Sequence, residues 1–223
     1  YEYFLPAEPF HQVFKRAMSI DAEQITIALE PGMRQWNGDK RNGTERAEWG
    51  FYAIDGTKLI NRNRFIKLSY EFKLPKNSKN IFQNKRTMIS QLKHDGGGYP
   101  GFSPAFAVYA HKGGAVTCVD YGLQKSVSSQ KHNHTSLKYV AGGKKSEIDI
   151  YDGNWHKVDI VFKLGKVDGY CKVLVDNKKI IEKVNYNNDL NPNEQLVVRF
   201  GVYRDKIEVT QTVSYDNIEL GYY

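Results

Sequence analysis

The stretch Leu196–Tyr203 holds residue types that could bind a ligand. In an extended strand successive side chains point to opposite faces. Arg199, Gly201 and Tyr203 therefore share one face. This face offers a cation, a phenol and, at the glycine, a gap through which a bulky ligand could approach the backbone. The other face carries the apolar residues Val198, Phe200 and Val202. The polar face is predicted to form a site; the alternative is the exposed face of an outer strand.

The elements that would position this face are predicted to be short strands. The most regular alternation lies in Phe65–Leu74, where apolar residues occupy every second position. Further alternating segments are Gln24–Leu29, Glu45–Ala53, Arg86–Asp95, Trp155–Leu164 and Thr212–Leu220. Asp176-Asn-Lys178 is predicted to be a hairpin turn between two further strands. Roughly ten to twelve strands, with closely spaced turn signals and no long helix, predict an all-β sandwich. A chain of 223 residues is predicted to form one domain over residues 1–223.

The charge balance favours an anionic partner. Lys plus Arg number 32 against 25 Asp plus Glu, a formal net charge of +7. Such a surplus attracts polyanions. Zinc-finger spacing, a helix-turn-helix pattern and an RNP motif are missing from the sequence, so nucleic acid is not the predicted partner. An acidic polysaccharide fits the charge equally well. No apolar run approaches the roughly 20 residues of a membrane span, and no membrane interaction is predicted.

The cysteines and histidines leave two questions of bonding. Cys118 and Cys171 lie on separate predicted strands and could form one bridge or remain buried thiols. His132 and His134, one residue apart, have a spacing found in some metal sites. No Cys or carboxylate lies close in sequence to complete such a site, so no metal ligand is predicted.

Three fragments resemble, in order, patterns of alginate-lyase-like jelly rolls. Val197–Tyr203 is similar to the C-terminal pattern Tyr-Phe-Lys-x-Gly-x-Tyr, whose last tyrosine is catalytic, with two valines in place of the aromatics and Arg199 in place of the lysine. Arg46-Ala-Glu48 resembles the start of Arg-x-Glu-Leu-Arg, whose closing arginine is Gly50 here. Gln91-Leu-Lys93 stands where that family carries Gln-Ile-His. Weaker similarity to heparinase I and glucuronan lyases includes Asp152–His156 and Tyr215–Ile218.

The resemblance implies a β-jelly roll, a concanavalin-A-like sandwich of two antiparallel sheets with a concave substrate groove. It also implies a polysaccharide lyase that cleaves a uronate-containing polymer by β-elimination. The pair Lys93 and Tyr203 is similar to that of some jelly-roll ulvan lyases. Sulfate groups would also suit the surplus of basic residues, so ulvan is the preferred substrate, followed by alginate or glucuronan.

The resemblance assigns roles to individual residues. Arg46 and Gln91 would neutralise the uronate carboxylate, so that the charge that develops when the C5 proton leaves is stabilised. Tyr203 would protonate the leaving oxygen, and it would serve as both acid and base if the C5 proton and the leaving oxygen lie on the same side of the ring; otherwise Lys93 would be the base. Nearby cations would lower the pKa of a lysine base. His94 is the alternative base if a bulge turns it into the groove. The predicted substrate-binding residues are Arg199, His94, Tyr109, Arg34 and Arg204.

The remaining expectations follow from this chemistry. No cofactor is required for elimination, and a structural calcium ion is left open, since the Asp and Asn residues are too dispersed to pick out a site. The protein is expected to be a monomer that is secreted, periplasmic or on the cell surface. The main alternative is a non-catalytic, lectin-like sandwich. A glycoside hydrolase would need two facing carboxylates, and no compact Glu-x-Asp-x-x-Glu strand is present.

Overall fold

The computed structural model describes residues 17–21, 24–34, 43–51, 61–83, 87–94, 104–110, 115–118, 139–140, 148–189 and 196–223. The strands, in chain order, are β1 Met18–Asp21, β2 Gln24–Leu29, β3 Thr44–Phe51, β4 Ile66–Lys73, β5 Thr87–His94, β6 Phe106–Tyr109, β7 Ala115–Cys118, β8 Tyr139–Val140, β9 Trp155–Lys163, β10 Gly169–Val175, β11 Lys178–Tyr186, β12 Leu196–Asp205 and β13 Gln211–Tyr222. A short helix, α1, spans Lys79–Gln83.

The strands form two antiparallel sheets. Sheet A has seven strands in the order β1-β2-β13-β4-β9-β10-β11, and sheet B has six in the order β3-β12-β5-β6-β7-β8. Strands that are neighbours in a sheet are often far apart in sequence, such as β12 between β3 and β5. The predicted all-β jelly roll of two antiparallel sheets is confirmed. Within the described residues, no helix is long and apolar enough to span a membrane.

The core lies between the two sheets, where their apolar faces meet. On β4, Leu68, Tyr70 and Phe72 are buried, as the alternation predicts. The ring of Phe200, from sheet B, makes edge contacts with Tyr70 at 5.0 Å and Tyr215 at 5.6 Å, both from sheet A. Aromatic pairs in such geometry add to the stabilisation from apolar burial. The apolar face of β12 is therefore the face that joins the two sheets.

The Asp152–His156 fragment is a structural element of sheet A. His156 Nδ1 lies 2.8 Å from Asp176 Oδ2, and its Nε2 lies 3.2 Å from Asp152 Oδ1. Asp176 and Asn177 have positive φ angles of 49° and 63°, as a two-residue hairpin turn requires. The predicted hairpin at this position is confirmed. The histidine ties the turn between β10 and β11 to the start of β9.

Two strands and one covalent bond go beyond the sequence prediction. β1 is an edge strand of only four residues, which are mostly exposed, and β8 has only two residues, so both are too short to give a clear pattern in the sequence. Cys171 is buried and disulfide-bonded, and Cys118 is the other cysteine of the chain. The two lie on strands of different sheets. Of the two bonding states left open by the sequence, the bridge is the one found.

Candidate active site

Three neighbouring strands of sheet B bring the predicted catalytic residues together. In the register of β12 with β3, Tyr203 lies opposite Arg46. In its register with β5, Arg199 lies opposite Gln91, and Val197 lies opposite Lys93. Residues directly opposite each other on antiparallel strands have neighbouring side chains. Fragments separated by more than a hundred residues thus meet on one stretch of sheet.

The two faces of β12 differ as the alternation predicts. Val198, Phe200 and Val202 are fully buried against the core. On the other face Arg199 is 7% exposed, whereas Tyr203 is half-buried. The polar face is therefore not the open surface of an outer strand. Its arginine is buried and its tyrosine is partly exposed.

A carboxylate that was not among the predicted site residues links two that were. Glu48 Oε2 lies 3.2 Å from the Nη1 atom of Arg46, and Glu48 Oε1 accepts a hydrogen bond of 2.5 Å from Gln91 Nε2. All three side chains are buried. A primary amide has two N–H donors, so the bond to Glu48 leaves Gln91 one donor for another acceptor. Glu48 therefore holds Arg46 and Gln91 in fixed positions relative to each other.

The guanidinium of Arg46 also lies against the candidate catalytic phenol. Its Cζ atom is 3.8 Å from the centroid of the Tyr203 ring, within the range of a cation–π interaction. Arg46 thus contacts an acid partner on its own strand and an aromatic partner on the next strand. These contacts fix the Tyr203 ring beside a positive charge.

The sequence prediction of an open gap at Gly201 is wrong. A Cβ atom at this position would lie 2.1 Å from the carbonyl oxygen of Ala47 and 2.7 Å from the Cα of Glu48. The φ angle of Gly201 is +137°, a conformation that side-chain-bearing residues rarely adopt. The glycine is needed for the close approach of β3 and for the backbone conformation, and it does not leave room for a ligand.

Gly50, which replaces the closing arginine of the family pattern, lies beneath another arginine. A Cβ atom at Gly50 would meet Val197 Cγ2 at 2.8 Å and Arg199 Cγ at 3.4 Å. The aliphatic stem of Arg199 therefore extends over β3 at this point. The space above residue 50 is occupied from the neighbouring strand.

Arg204 does not belong to this face, and the prediction that it binds substrate is corrected. Its side chain is 0% exposed, and its Nη2 atom lies 2.7 Å from Oε2 of Glu45, which is also fully buried. Its Nη1 atom donates to the carbonyl of Val209 at 2.8 Å. As the residue after Tyr203, Arg204 points to the opposite face of the strand. It is a structural cation of the interior.

Three further predicted residues are half-buried in the structure. Lys93 is half-buried near the end of β5. Tyr109 is half-buried on β6, opposite Met88, which is also the register partner of Tyr203. Arg34 is half-buried and follows Met33, whose carbonyl accepts a hydrogen bond from the Arg46 backbone at 3.2 Å.

Two predictions on histidines fall on side chains that the structure does not describe. The backbone of His94 ends β5 opposite Leu196, but its side chain lies outside the described part of the chain, as do His132 and His134. Within the described ranges, no group of three or more His, Cys, Asp or Glu residues could hold a metal ion. The calcium question thus stays as the sequence left it.

The sequence and the fold both match known proteins. A family model described as polysaccharide lyase matches residues 27–219. A search of curated proteins found no match. Among solved structures, the chain is similar to an endo-β-1,4-glucuronan lyase from the fungus Trichoderma reesei, with a TM-score of 0.64 and 16% identity over 89% of this chain and 80% of that chain.

Alginate lyases have a similar fold. The match to an alginate lyase from Chlorella virus has a TM-score of 0.53 and 15% identity, and it covers 92% of this chain and 87% of that chain. A family 7 alginate lyase in complex with substrate matches with a TM-score of 0.59 and 12% identity, over 93% of this chain and 82% of that chain. At these identities the likeness establishes the fold.

Proposed function

The chain belongs to the polysaccharide lyase family, and from this premise we propose that it cleaves a uronate-containing anionic polysaccharide by β-elimination. In this reaction a base removes the C5 proton of the uronate, the bond from C4 to the glycosidic oxygen breaks, and the oxygen takes up a proton. The products are an oligosaccharide with a new double bond at its non-reducing end and a shortened chain.

The observation that carries the proposal is the juxtaposition of Arg46, Gln91 and Tyr203 on adjacent strands. The C5 proton is weakly acidic, so its removal requires stabilisation of the charge that develops on the carboxylate. The Arg46 guanidinium and the free N–H of Gln91 are donors of the right type. The centroid of the Tyr203 ring lies 3.8 Å from Arg46 Cζ. A uronate carboxylate bound by Arg46 would therefore lie close to this phenol.

Glu48 contributes by fixing these donors before substrate arrives. Donors that are already oriented cost no reorganisation during the reaction. The negative charge of Glu48 offsets one positive charge in a group that also contains Arg46 and Arg199. A net positive charge remains for an incoming uronate. The side chain of Glu48 is 1% exposed, so its contribution is to orient Arg46 and Gln91.

Proton transfer is assigned to Tyr203 and Lys93. Tyr203 acts as the general acid toward the leaving oxygen, and it also takes the C5 proton when both lie on the same side of the ring. Lys93 lies two residues after Gln91, on the same face of β5. It is the base when the C5 proton and the leaving oxygen lie on opposite sides of the ring. His94 takes that role only if its ring reaches the same face.

For the substrate, we propose ulvan first and glucuronan or alginate next. The Lys93 and Tyr203 pair supports ulvan, and the formal net charge of +7 suits a polymer that carries both carboxylate and sulfate groups. Glucuronan and alginate are supported by the names of structural neighbours, a glucuronan lyase and several alginate lyases. Family membership favours catalysis over the lectin-like alternative.

We further propose that the protein acts outside the cytoplasm as a monomer, without a catalytic cofactor and with calcium as an optional structural ion. The disulfide at Cys171 supports an oxidising compartment. Large acidic polysaccharides are also found outside cells, where a degrading enzyme would meet them.

The test is the ultraviolet absorbance of the new double bond during incubation with ulvan, glucuronan, alginate and heparin in separate reactions. Absorbance should rise with one of the first three polymers. Loss of a general acid or base commonly costs about 10²–10⁴-fold, so Tyr203→Phe and Lys93→Ala should lower kcat by that order.

Matched control variants lie on sheet A, away from the candidate site. Tyr170→Phe removes a hydroxyl that donates to Glu182 at 2.8 Å, and Lys172→Ala removes a lysine from the middle of β10. Both should retain full turnover. No absorbance change with any polymer would contradict the proposed reaction. Undiminished turnover in Tyr203→Phe would contradict the role of Tyr203.

A further inference from the structure

A β-bulge separates the two pairs of opposing residues in the candidate site. Phe200 lies opposite Ser90, but Tyr203 lies opposite Met88. Two residues of β12, Gly201 and Val202, therefore face the single residue Ile89. Bulges of this kind re-aim side chains and often lie next to active sites. Here the bulge lies between the Arg199–Gln91 pair and the Tyr203–Arg46 pair, so its shape sets the distance between them.

A hydroxyl from the opposite sheet bonds the backbone groups at the bulge. The backbone N–H of Gly201 donates to Tyr215 Oη at 3.1 Å. Tyr215 Oη lies 2.7 Å from the carbonyl oxygen of Ile89 and 3.0 Å from that of Gly201, and it can donate to either. A register shift leaves ladder groups without their strand partners, and buried backbone groups must find others. Tyr215 provides that partner for both strands.

The environment of Tyr215 keeps the hydroxyl protonated and fixed. Its side chain is fully buried, and this burial raises the pKa of its phenol well above the ordinary value. Burial therefore favours the protonated hydroxyl, which is the form that donates a hydrogen bond. The Tyr215 ring packs edge to face against Phe200 at 5.6 Å, so the phenol has little freedom to leave the bulge.

The bulge is also constrained from the side of β3. Ala47 and Glu48 approach Gly201 so closely that a Cβ atom would overlap the backbone. The positive φ of Gly201 is thus enclosed between β3 on one side and the Tyr215 hydroxyl on the core side. Both constraints act on the residue two positions before Tyr203.

We propose that Tyr215 is a positioning residue for the lyase reaction: its buried hydroxyl bonds the backbone at the Gly201 bulge and thereby holds Tyr203 in its position relative to Gln91 on β5. This inference rests on the proposed function, in which Tyr203 transfers the proton. Tyr215 itself does not touch the substrate. It acts through the backbone of β12, from the opposite sheet of the sandwich.

The experiment compares Tyr215→Phe with Tyr70→Phe. Tyr70 is a matched control because it is also fully buried, its ring lies 6.3 Å from that of Tyr215, and its hydroxyl bonds a side chain, Ser90 Oγ at 2.7 Å. Each variant removes one hydroxyl from the same part of the core, but only Tyr215→Phe releases the bulge. Both are assayed at a temperature at which circular dichroism shows them fully folded.

Steady-state kinetics and the pH dependence of kcat provide the functional readout. Small misplacements of a catalytic group cost up to about a hundredfold, so Tyr215→Phe should lower kcat by about tenfold or more with KM within about twofold. The limb of the pH profile that disappears in Tyr203→Phe should be displaced in Tyr215→Phe. Tyr70→Phe should keep both the wild-type kcat and the wild-type profile. A loss of stability alone would not move the pH profile.

Amide hydrogen exchange of Gly201 tests its hydrogen bond to the Tyr215 hydroxyl independently of activity. In the wild-type protein the Gly201 amide should be protected although it lies in a bulge, and Tyr215→Phe, but not Tyr70→Phe, should remove that protection. Rapid exchange of this amide in the wild-type protein would overturn the inference even if the variant failed to fold.

The kinetic outcomes separate the two proposals. Wild-type kcat in Tyr215→Phe together with loss of turnover in Tyr203→Phe would overturn only the positioning role. Wild-type turnover in Tyr203→Phe would overturn the proposed role of Tyr203, and the positioning role with it.

Discussion

The buried ion pair between Arg204 and Glu45 gives a quantitative test of which arginine on β12 is structural. Both side chains are 0% exposed, and the Arg204 Nη2 and Nε atoms lie 2.7 and 2.9 Å from Glu45 Oε2. Removal of one member of such a pair leaves the other charge buried without compensation, at a cost of about 3–5 kcal/mol. We expect this loss of stability in Arg204→Met.

Urea denaturation followed by circular dichroism measures the effect. With an m value of about 2.5 kcal/mol/M, a loss of about 4 kcal/mol lowers the midpoint by about 1.5 M. The double variant Arg204→Met/Glu45→Gln removes the uncompensated charge and keeps an acceptor for the Gly32 N–H, which bonds Glu45 Oε1. It should recover part of the loss, so the two substitutions should not be additive.

Activity distinguishes Arg204 from Arg199, the other arginine of β12. Arg204→Met should keep kcat/KM per folded molecule within about twofold, because its side chain does not reach the polar face. Arg199→Met removes a cation from that face and should lower kcat/KM by about 10- to 100-fold, as expected for a charged hydrogen bond. A larger loss of kcat/KM in Arg204→Met than in Arg199→Met, with an unchanged urea midpoint, would refute the reasoning from burial.

Two further predictions concern stability. Reduction of the disulfide at Cys171 opens a loop of about fifty residues to Cys118, so dithiothreitol should reduce the free energy of unfolding by about 4 kcal/mol; an unchanged thermal midpoint after complete reduction would contradict this estimate. The pKa of Asp152 is lowered, chiefly by the hydrogen bond from the Asn154 backbone. Its contribution is therefore present above the ordinary carboxyl pKa, near 4, and is lost as the pH falls through the lowered value. Asp152→Asn should flatten this acid limb in a pH series of urea midpoints, and a limb as steep as that of the wild-type protein would exclude Asp152 as its source.

Much of the fold follows from local pattern in the sequence. The alternation in β4 and β12 predicts which side chains face the core, because the direction of a side chain in a strand depends only on its own extended backbone. The hairpin at Asp176 and Asn177 is also predicted from local sequence, because the type of turn is determined by the residues within it. The fragments at Arg46, Gln91 and Arg199 could also be identified, because each is contiguous.

The same alternation also explains why the prediction for Arg204 is wrong. Its position on β12 points inward, but a buried cation is unfavourable unless a partner accompanies it. That partner, Glu45, is 159 residues away in sequence. The sequence shows Glu48 two residues from Arg46, in the same fragment. Its hydrogen bond to Gln91 could not be predicted, because it joins β3 and β5, which lie on either side of β12 in the sheet.

The sequence by itself determined most of the strands, the apolar and polar faces of β12, and the residue types available for an elimination reaction. Only the tertiary structure decided that Gly201 is enclosed by β3, that its bulge is bonded by Tyr215, and that Arg204 belongs to the interior. These features depend on register between strands distant in sequence and on packing between two sheets. Such contacts are set by the whole core at once, so no local pattern of residues encodes them.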